Sequence, residues 1–181
     1  MDTFSVNDCT FNKDNFINAC FIRWEIHWRK SCKQSVICVV LSLICLLLGV
    51  FKRTEENTIN LSILLGIGFL IVNLFLVCFE LFVKRRYIRE VKEIANKYDS
   101  VKMDCNYEFS EESVKYWDKE KDMEFNWSVF TNYSIYKDYL ILFLNNSIFE
   151  SYLFKKEEIG IDEYNKLLEV VKSKLEYKEI K

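Results

Sequence analysis

Two almost uncharged apolar runs divide the chain. Residues 35–51 read SVICVVLSLICLLLGVF, and residues 59–83 read INLSILLGIGFLIVNLFLVCFELFV with Glu80 as their single charge. A helix that crosses a bilayer needs about 17–25 predominantly apolar residues, and both runs reach that length. Only seven residues, 52–58, separate them. That link is short enough to dictate an antiparallel hairpin.

Helical spacing gives the hairpin a seam. Ser35, Cys38, Ser42, Cys45 and Gly49 recur at steps of 3 and 4 in the first run, as do Ser62, Gly66, Phe69, Asn73, Leu76 and Glu80 in the second. Small residues let two membrane helices approach, and polar ones hydrogen-bond across the gap. In an antiparallel pair the numbers of facing residues have a constant sum. Ser35 with Glu80, Ser42 with Asn73 and Gly49 with Gly66 all sum to 115, which predicts a specific register. Glu80 reads as a carboxylate snorkelling to the interface and pairing with Lys84 or Lys33, against the alternative of an ion path. Asn73 reads as interhelical glue with Ser42, or as a contact between protomers.

Amphipathic helix flanks both runs. Upstream, Ile17, Phe21, Trp24 and Trp28 recur at steps of 4, 3 and 4, which predicts a helix from about Lys13 with Asn12 as its N-cap. Trp24 and Trp28 fit two settings, the headgroup layer or a cytosolic packing surface. Downstream, Ile88, Val91, Ala95 and Tyr98 continue the second helix.

From residue 101 the period changes to 2, the mark of half-buried strands. The alternation predicts strands at 101–109, 114–118, 123–127, 132–137, 139–144 and 148–154, with tight turns at Lys137-Asp138 and Asn145-Asn146-Ser147. A weak alternation at 3–9 offers a seventh. The corner Trp127-Ser128-Val129-Phe130 is expected to supply core anchors in Trp127 and Phe130, with Ser128 bonding a nearby backbone group. Phe125, Tyr139 and Leu142 complete the expected core. Residues 161–177 return to a helical period, with Tyr164, Leu167, Leu168, Val171 and Leu175 on one face. Residues 178–181 are expected to fray.

The fold class that follows is membrane α + β. A two-helix transmembrane hairpin carries a cytosolic antiparallel sheet, or partly open barrel, capped by a C-terminal helix. The expected divisions are a cytosolic strand and helix at 1–33, the hairpin at 34–83, a basic juxtamembrane helix at 84–98 and the β domain at 99–181.

Charge sets the orientation. Arg23, Arg29, Lys30 and Lys33 precede the first run, and Lys84, Arg85, Arg86 and Arg89 follow the second. The link carries only Lys52 and Arg53 beside Glu55 and Glu56. Lysine and arginine flanks stay in the cytosol, so both termini are expected there, in a multi-pass protein of the plasma membrane.

Composition narrows the function. The formal net charge of −2 gives no basic surface for nucleic acid. Residues 99–181 hold 12 lysines, no arginine and 18 acids, a net of −6. That balance disfavours an anionic headgroup site. Seven cysteines without a Cys-x-x-Cys pair, three of them in the apolar runs, read as free thiols in a reducing compartment. His27 is the only histidine: it cannot build a metal cluster alone, and its place on the membrane-proximal helix disfavours a nucleophile–base pair. No catalytic residue, metal site or cofactor is assigned.

The order of strand, helix, apolar hairpin, basic helix and small β domain resembles the YcxB-like family of bacterial membrane proteins. Two segments carry the resemblance. Phe125-Asn126-Trp127-Ser128-Val129-Phe130, followed by Tyr139-Leu140, is similar to the family's apolar-x-Trp-Ser-x-apolar element. Tyr107-Glu108-Phe109-Ser110-Glu111-Glu112-Ser113-Val114 is similar to the phrase joining its first strands. Where the family tends to have an apolar residue, Pro and a basic residue, this chain has Tyr152-Leu153-Phe154-Lys155. The resemblance implies a pleckstrin-homology-like C-terminal domain and no established enzymatic activity. The expected function is a membrane-anchored, non-enzymatic binding or scaffold protein that presents its β domain to a protein partner. The alternative is an oligomeric membrane protein (channel, transporter subunit or immunity-type) acting through its hairpin.

Overall fold

The computed structural model describes residues 4–51 and 61–180, with the backbone alone for 6–10 and 51. The link at 52–58 and the first two residues of the second apolar run lie outside them. The elements run β1 (Phe4–Thr10), α1 (Lys13–Phe51), α2 (Leu61–Ser100), β2 (Asp104–Phe109), β3 (Ser113–Trp117), β4 (Asp122–Asn126), β5 (Phe130–Tyr136), β6 (Tyr139–Leu144), β7 (Ser147–Lys155), α3 (Lys156–Ile159) and α4 (Ile161–Lys174). They form two compact units. A helical unit comprises His27–Glu90, and a β unit comprises Met1–Ile26 with Val91–Lys181. The helices α1 and α2 each contribute to both.

The helical unit holds two helices long and apolar enough to cross a membrane. Only 11 % of the most apolar window of each is buried, which separates them from the buried core helices of soluble domains. Leu, Ile, Val and Phe side chains point outward along both, from Val36 to Val50 and from Leu61 to Phe82. The buried positions are the small and polar ones, Ser42, Gly49, Gly66 and Asn73.

The register differs from the constant sum of 115. The Asn73 amide donates to the Ser35 carbonyl at 3.3 Å, and Gly66 lies against Leu46 and the Ser42 carbonyl. Gly49 lies against Ile63. The facing sums are therefore 108 to 112. Each glycine receives a bulky aliphatic side chain from the other helix instead of a second glycine. Two facing glycines would leave a void, whereas glycine against leucine or isoleucine fills it. Phe69 and Leu76 stand outside the seam, about half exposed. A Cβ built on Gly66 would stand 2.7 Å from Leu46 Cγ and 3.0 Å from the Ser42 carbonyl, while one on Gly68 meets nothing within 4 Å. Gly66→Ala is therefore expected to cost about 1–3 kcal/mol by overpacking. Gly68→Ala should be neutral or slightly stabilising. Thermal unfolding in detergent checks the pair, and equal midpoints for the two variants would contradict the close approach.

In the β unit seven strands form two antiparallel sheets, β1-β2-β3-β4 and β5-β6-β7. The arrangement is two separate sheets, not a closed barrel. The segment expected as a seventh strand pairs with β2 through Phe4↔Phe109 and Cys9↔Cys105, with a bulge between. The first strand after α2 starts later than alternation alone suggests. The helix runs to Ser100, Lys102 turns with φ 44°, and buried Met103 anchors the bend. Both hairpins of the second sheet turn on positive-φ residues, Lys137 (53°) in one, Asn145 (51°) and Asn146 (60°) in the other. That backbone twist suits a two-residue hairpin loop.

Strand β6 explains its own composition. Tyr139, Ile141 and Phe143 face one side and pack with Ile22, Ala19 and Ile26 of α1. Leu140 and Leu142 face the other, into a core shared with Phe109, Trp127, Phe130, Phe154, Leu167 and Val171. A strand covered on both faces has no polar positions to alternate with. The α1 face that meets the sheet is thus Ala19-Ile22-Ile26. Phe21, expected on the apolar stripe, is 39 % exposed. Trp24, also on that stripe, is buried beside Phe149 of β7.

The C-terminus also departs from expectation. α4 ends at Lys174, not at Tyr177. The next residues lie along β5: Tyr133 N–H donates to the Glu176 carbonyl at 3.0 Å, and Lys178 N–H to the Tyr133 carbonyl at 2.7 Å. Ser134 Oγ donates to the Lys178 carbonyl. The tail to Lys178 is therefore ordered, because it supplies partners to an otherwise bare sheet edge.

Candidate functional site

The corner between the two sheets is built around one indole. Trp127 opens a single 3-10 turn (Trp127–Val129) that leads from β4 into β5. Its Nε1–H donates to the Ser110 carbonyl at 2.9 Å, and its backbone N–H to the Glu112 carbonyl at 3.2 Å. Trp127 and Phe130 are buried with ring centres 5.9 Å apart, and Phe125 packs beside them. Tyr139 belongs to the other core, facing α1. Ser128 is exposed and makes no hydrogen bond among the described residues, so the backbone-bonding role expected of it falls to Ser110. Ser110 Oγ accepts from the Ser113 amide at 2.9 Å and the Glu112 amide at 3.2 Å.

The basic flanks are mostly solvent-facing. Arg29, Lys30, Lys33, Arg85 and Arg86 are exposed, and Arg86 pairs with Glu90 at 2.8 Å. Lys84 and Glu80 are partly buried. Glu80 makes no ion pair among the described residues, so the expected pairing with Lys84 or Lys33 is not formed.

Arg23 behaves differently from these flanking charges. It turns into the β unit, where one guanidinium nitrogen donates to the Ser151 carbonyl on β7 at 2.7 Å and another to Cys20 Sγ at 3.6 Å. Its Nε is buried without a hydrogen-bond partner. Trp24, the next residue, is buried with its ring 6.1 Å from Phe149. Of the two settings open to Trp24, this is packing within the β unit.

Arg23 lines a cleft of about 710 Å³, framed by the start of α1, the end of α2, β2 to β4, β7 and α3. Ligand pockets fall in the range of about 300–1,000 Å³. Its walls are aromatic. Phe11, Phe16 and Tyr98 form a triangle with centroid separations of 5.6, 5.6 and 6.1 Å. Tyr107 lies 5.2 Å from both Tyr116 and Phe154. These residues come from separate segments with no common period. Only their aromaticity marks them in sequence, and the core needs aromatics as well.

One wall carries a polar chain. Tyr116 O–H donates to Asp118 Oδ2, leaving its oxygen to accept from the Cys105 thiol at 3.7 Å. Desolvation and the Asp118 bond push the Tyr116 hydroxyl far above its ordinary value. Desolvation likewise pushes the Cys105 thiol up, against the Tyr116 bond. Desolvation acts upward on Asp118 too, but Tyr116 and the Glu120 and Lys121 amides outweigh it and hold the carboxyl below its usual range. The Asp118–Tyr116–Cys105 chain links β3 to β2 along this wall. Desolvation raises the Glu158 carboxyl, opposed by Asn15 and Lys155.

A shallower depression of about 420 Å³ is bordered by Glu108, Glu111, Glu112 and Glu124 around Lys115. Among the described residues no group of three or more His, Cys, Asp or Glu could hold a metal ion. No protein-family model, curated protein or solved structure matches the chain.

Proposed function

We propose that this chain is a membrane-anchored, non-enzymatic binding module. The hairpin holds it in the bilayer, both termini lie in the cytosol, and the β unit presents its aromatic cleft and surface to a partner. The observation that carries the reading is the contrast between the units. One turns its aliphatic side chains outward and its polar ones inward. The other buries two apolar cores and keeps an open, mixed cleft. The first is the pattern of a body solvated by lipid, the second of a water-solvated domain.

In this reading the two-sheet β unit with its C-terminal helix is a pleckstrin-homology-like domain, in keeping with the YcxB-like resemblance. Its excess of acids favours a protein partner over an anionic lipid surface. A Cys105 thiol pushed up by desolvation and an exposed Ser128 without a hydrogen-bond partner among the described residues favour binding over nucleophilic chemistry. The alternative, a conducting oligomer, is weakened because the Asn73 amide is occupied by the Ser35 carbonyl inside the hairpin.

Alkaline carbonate extraction of membranes tests the anchor, and protease treatment of intact spheroplasts tests the side. The chain should stay in the membrane pellet with its β unit uncleaved, and proteoliposomes should pass no ions. Release by carbonate, or cleavage from outside, would overturn the anchor or the topology. Ion flux would favour the oligomer.

A further inference from the structure

We infer that the cleft beside Arg23 binds a small anionic amphiphile, a carboxylate head on an apolar or aromatic body. This gives the cleft a small-molecule ligand, beside the protein partner proposed for the surface of the β unit, and rests on the reading of the chain as a membrane-anchored binding module. The charges around the cleft carry the inference. Four charged side chains line it: Arg23, Lys121, Glu157 and Glu158. Both acids are already answered. Glu157 pairs with Lys155 at 2.5 Å, and Glu158 is bonded by Asn15. The nearest acid along α1, Glu25, is held by Tyr136 and Lys137, each at 2.8 Å.

Arg23 has no carboxylate. Its described partners are a carbonyl and a thiol, both neutral, and its Nε has none although it is buried. Arg23 is partly buried, and a guanidinium partly withdrawn from water is usually matched by an anion; the planar fork of its terminal nitrogens suits a carboxylate. Lys121, exposed, is already set against Asp118, so Arg23 is the positive charge left for a ligand. The rest of the wall mixes apolar and aromatic side chains, among them Phe16, Met123, Leu153 and Phe154, with polar ones such as Asn12 and Asn15. A ligand that satisfies both parts has a charged head and an apolar body. A bare inorganic anion would leave the aromatic wall uncovered, and a neutral hydrocarbon would leave Arg23 unmatched.

The test uses the full chain in nanodiscs of zwitterionic lipid, with 6-phenylhexanoate as the probe and 6-phenylhexan-1-ol as its neutral counterpart. Calorimetric titration against empty nanodiscs subtracts partition into lipid. The acid should bind at least about 10-fold more tightly than the alcohol, the difference made by one charged hydrogen-bonded pair. Arg23→Gln keeps a donor for the Ser151 carbonyl, and should weaken the acid about 10-fold while leaving the alcohol unchanged. Arg23→Lys keeps the charge and should retain most of the acid's affinity, which separates loss of charge from loss of fold. Equal binding of acid and alcohol, binding of neither, or an Arg23→Gln protein that binds the acid as before would overturn the ligand class. Those outcomes leave the anchored reading standing, because that reading fails separately, at the step of incorporation into nanodiscs.

Discussion

Replacing Trp127 with alanine should lower the stability of the β unit by about 3–5 kcal/mol, the range for deleting a large buried aromatic side chain. The indole is 6 % exposed and occupies the joint between the two sheets. It also carries the hydrogen bond to the Ser110 carbonyl, so its loss strips a partner from the β2–β3 turn. Trp127→Phe keeps most of the apolar contact and removes only that bond, and should cost about 1–2 kcal/mol. Chemical unfolding of both variants checks the order. A Trp127→Ala protein as stable as Trp127→Phe would show that the ring does not bind the sheets together.

The second large effect separates the two faces of β6. Ile141 and Leu142 are adjacent and both fully buried, but they belong to different cores. Each alanine substitution should cost about 2–5 kcal/mol. The local consequences should differ. Ile141→Ala removes the contact with Ile22, and should raise amide exchange across residues 13–26. Leu142→Ala weakens the core shared with Leu167 and Val171, and should raise exchange across α4 first. The same exchange pattern for both variants would contradict the double-sided packing of β6.

Those two positions also show how far the chain's pattern reaches. The run at 139–144 is apolar throughout, and an unbroken run does not distinguish strand from buried helix. What identified it as a strand was punctuation: Lys137-Asp138 before it and Asn145-Asn146 after it, all but Asp138 at positive φ. The cap at Asn12 was legible for the same local reason, since its Oδ1 accepts from the Asn15 amide at 3.0 Å. Spacing likewise identified Ser42, Gly49, Gly66 and Asn73 on the hairpin seam, because a step of 3 or 4 is a property of one helix alone.

Features set by two partners were harder to read. The hairpin register depends on which side chain fills each glycine's gap, and Leu46 and Ile63 fill them from the opposite helix. The α1 face that meets β6 was hidden for the same reason, and so was the tail along β5. The cleft was least legible. Arg23 is one of several basic residues before the first apolar run, and only the position of β7 turns it from a flanking charge into a partly buried one bonded to the Ser151 carbonyl.

The central claim is that a membrane-anchored β unit binds through this cleft. Three methionines occur in the chain, Met1, Met103 and Met123. Met123 lines the cleft, whereas Met103 is buried beneath the α2–β2 bend. Growing cells on a diazirine analogue of methionine and irradiating intact membranes therefore places a photoreactive group in the cleft with little change in shape. A covalent mass addition on the peptide carrying residue 123 is expected, lost in Met123→Leu and kept in Met103→Leu. No addition at residue 123 in intact membranes, with the label shown to be incorporated there, would contradict the claim.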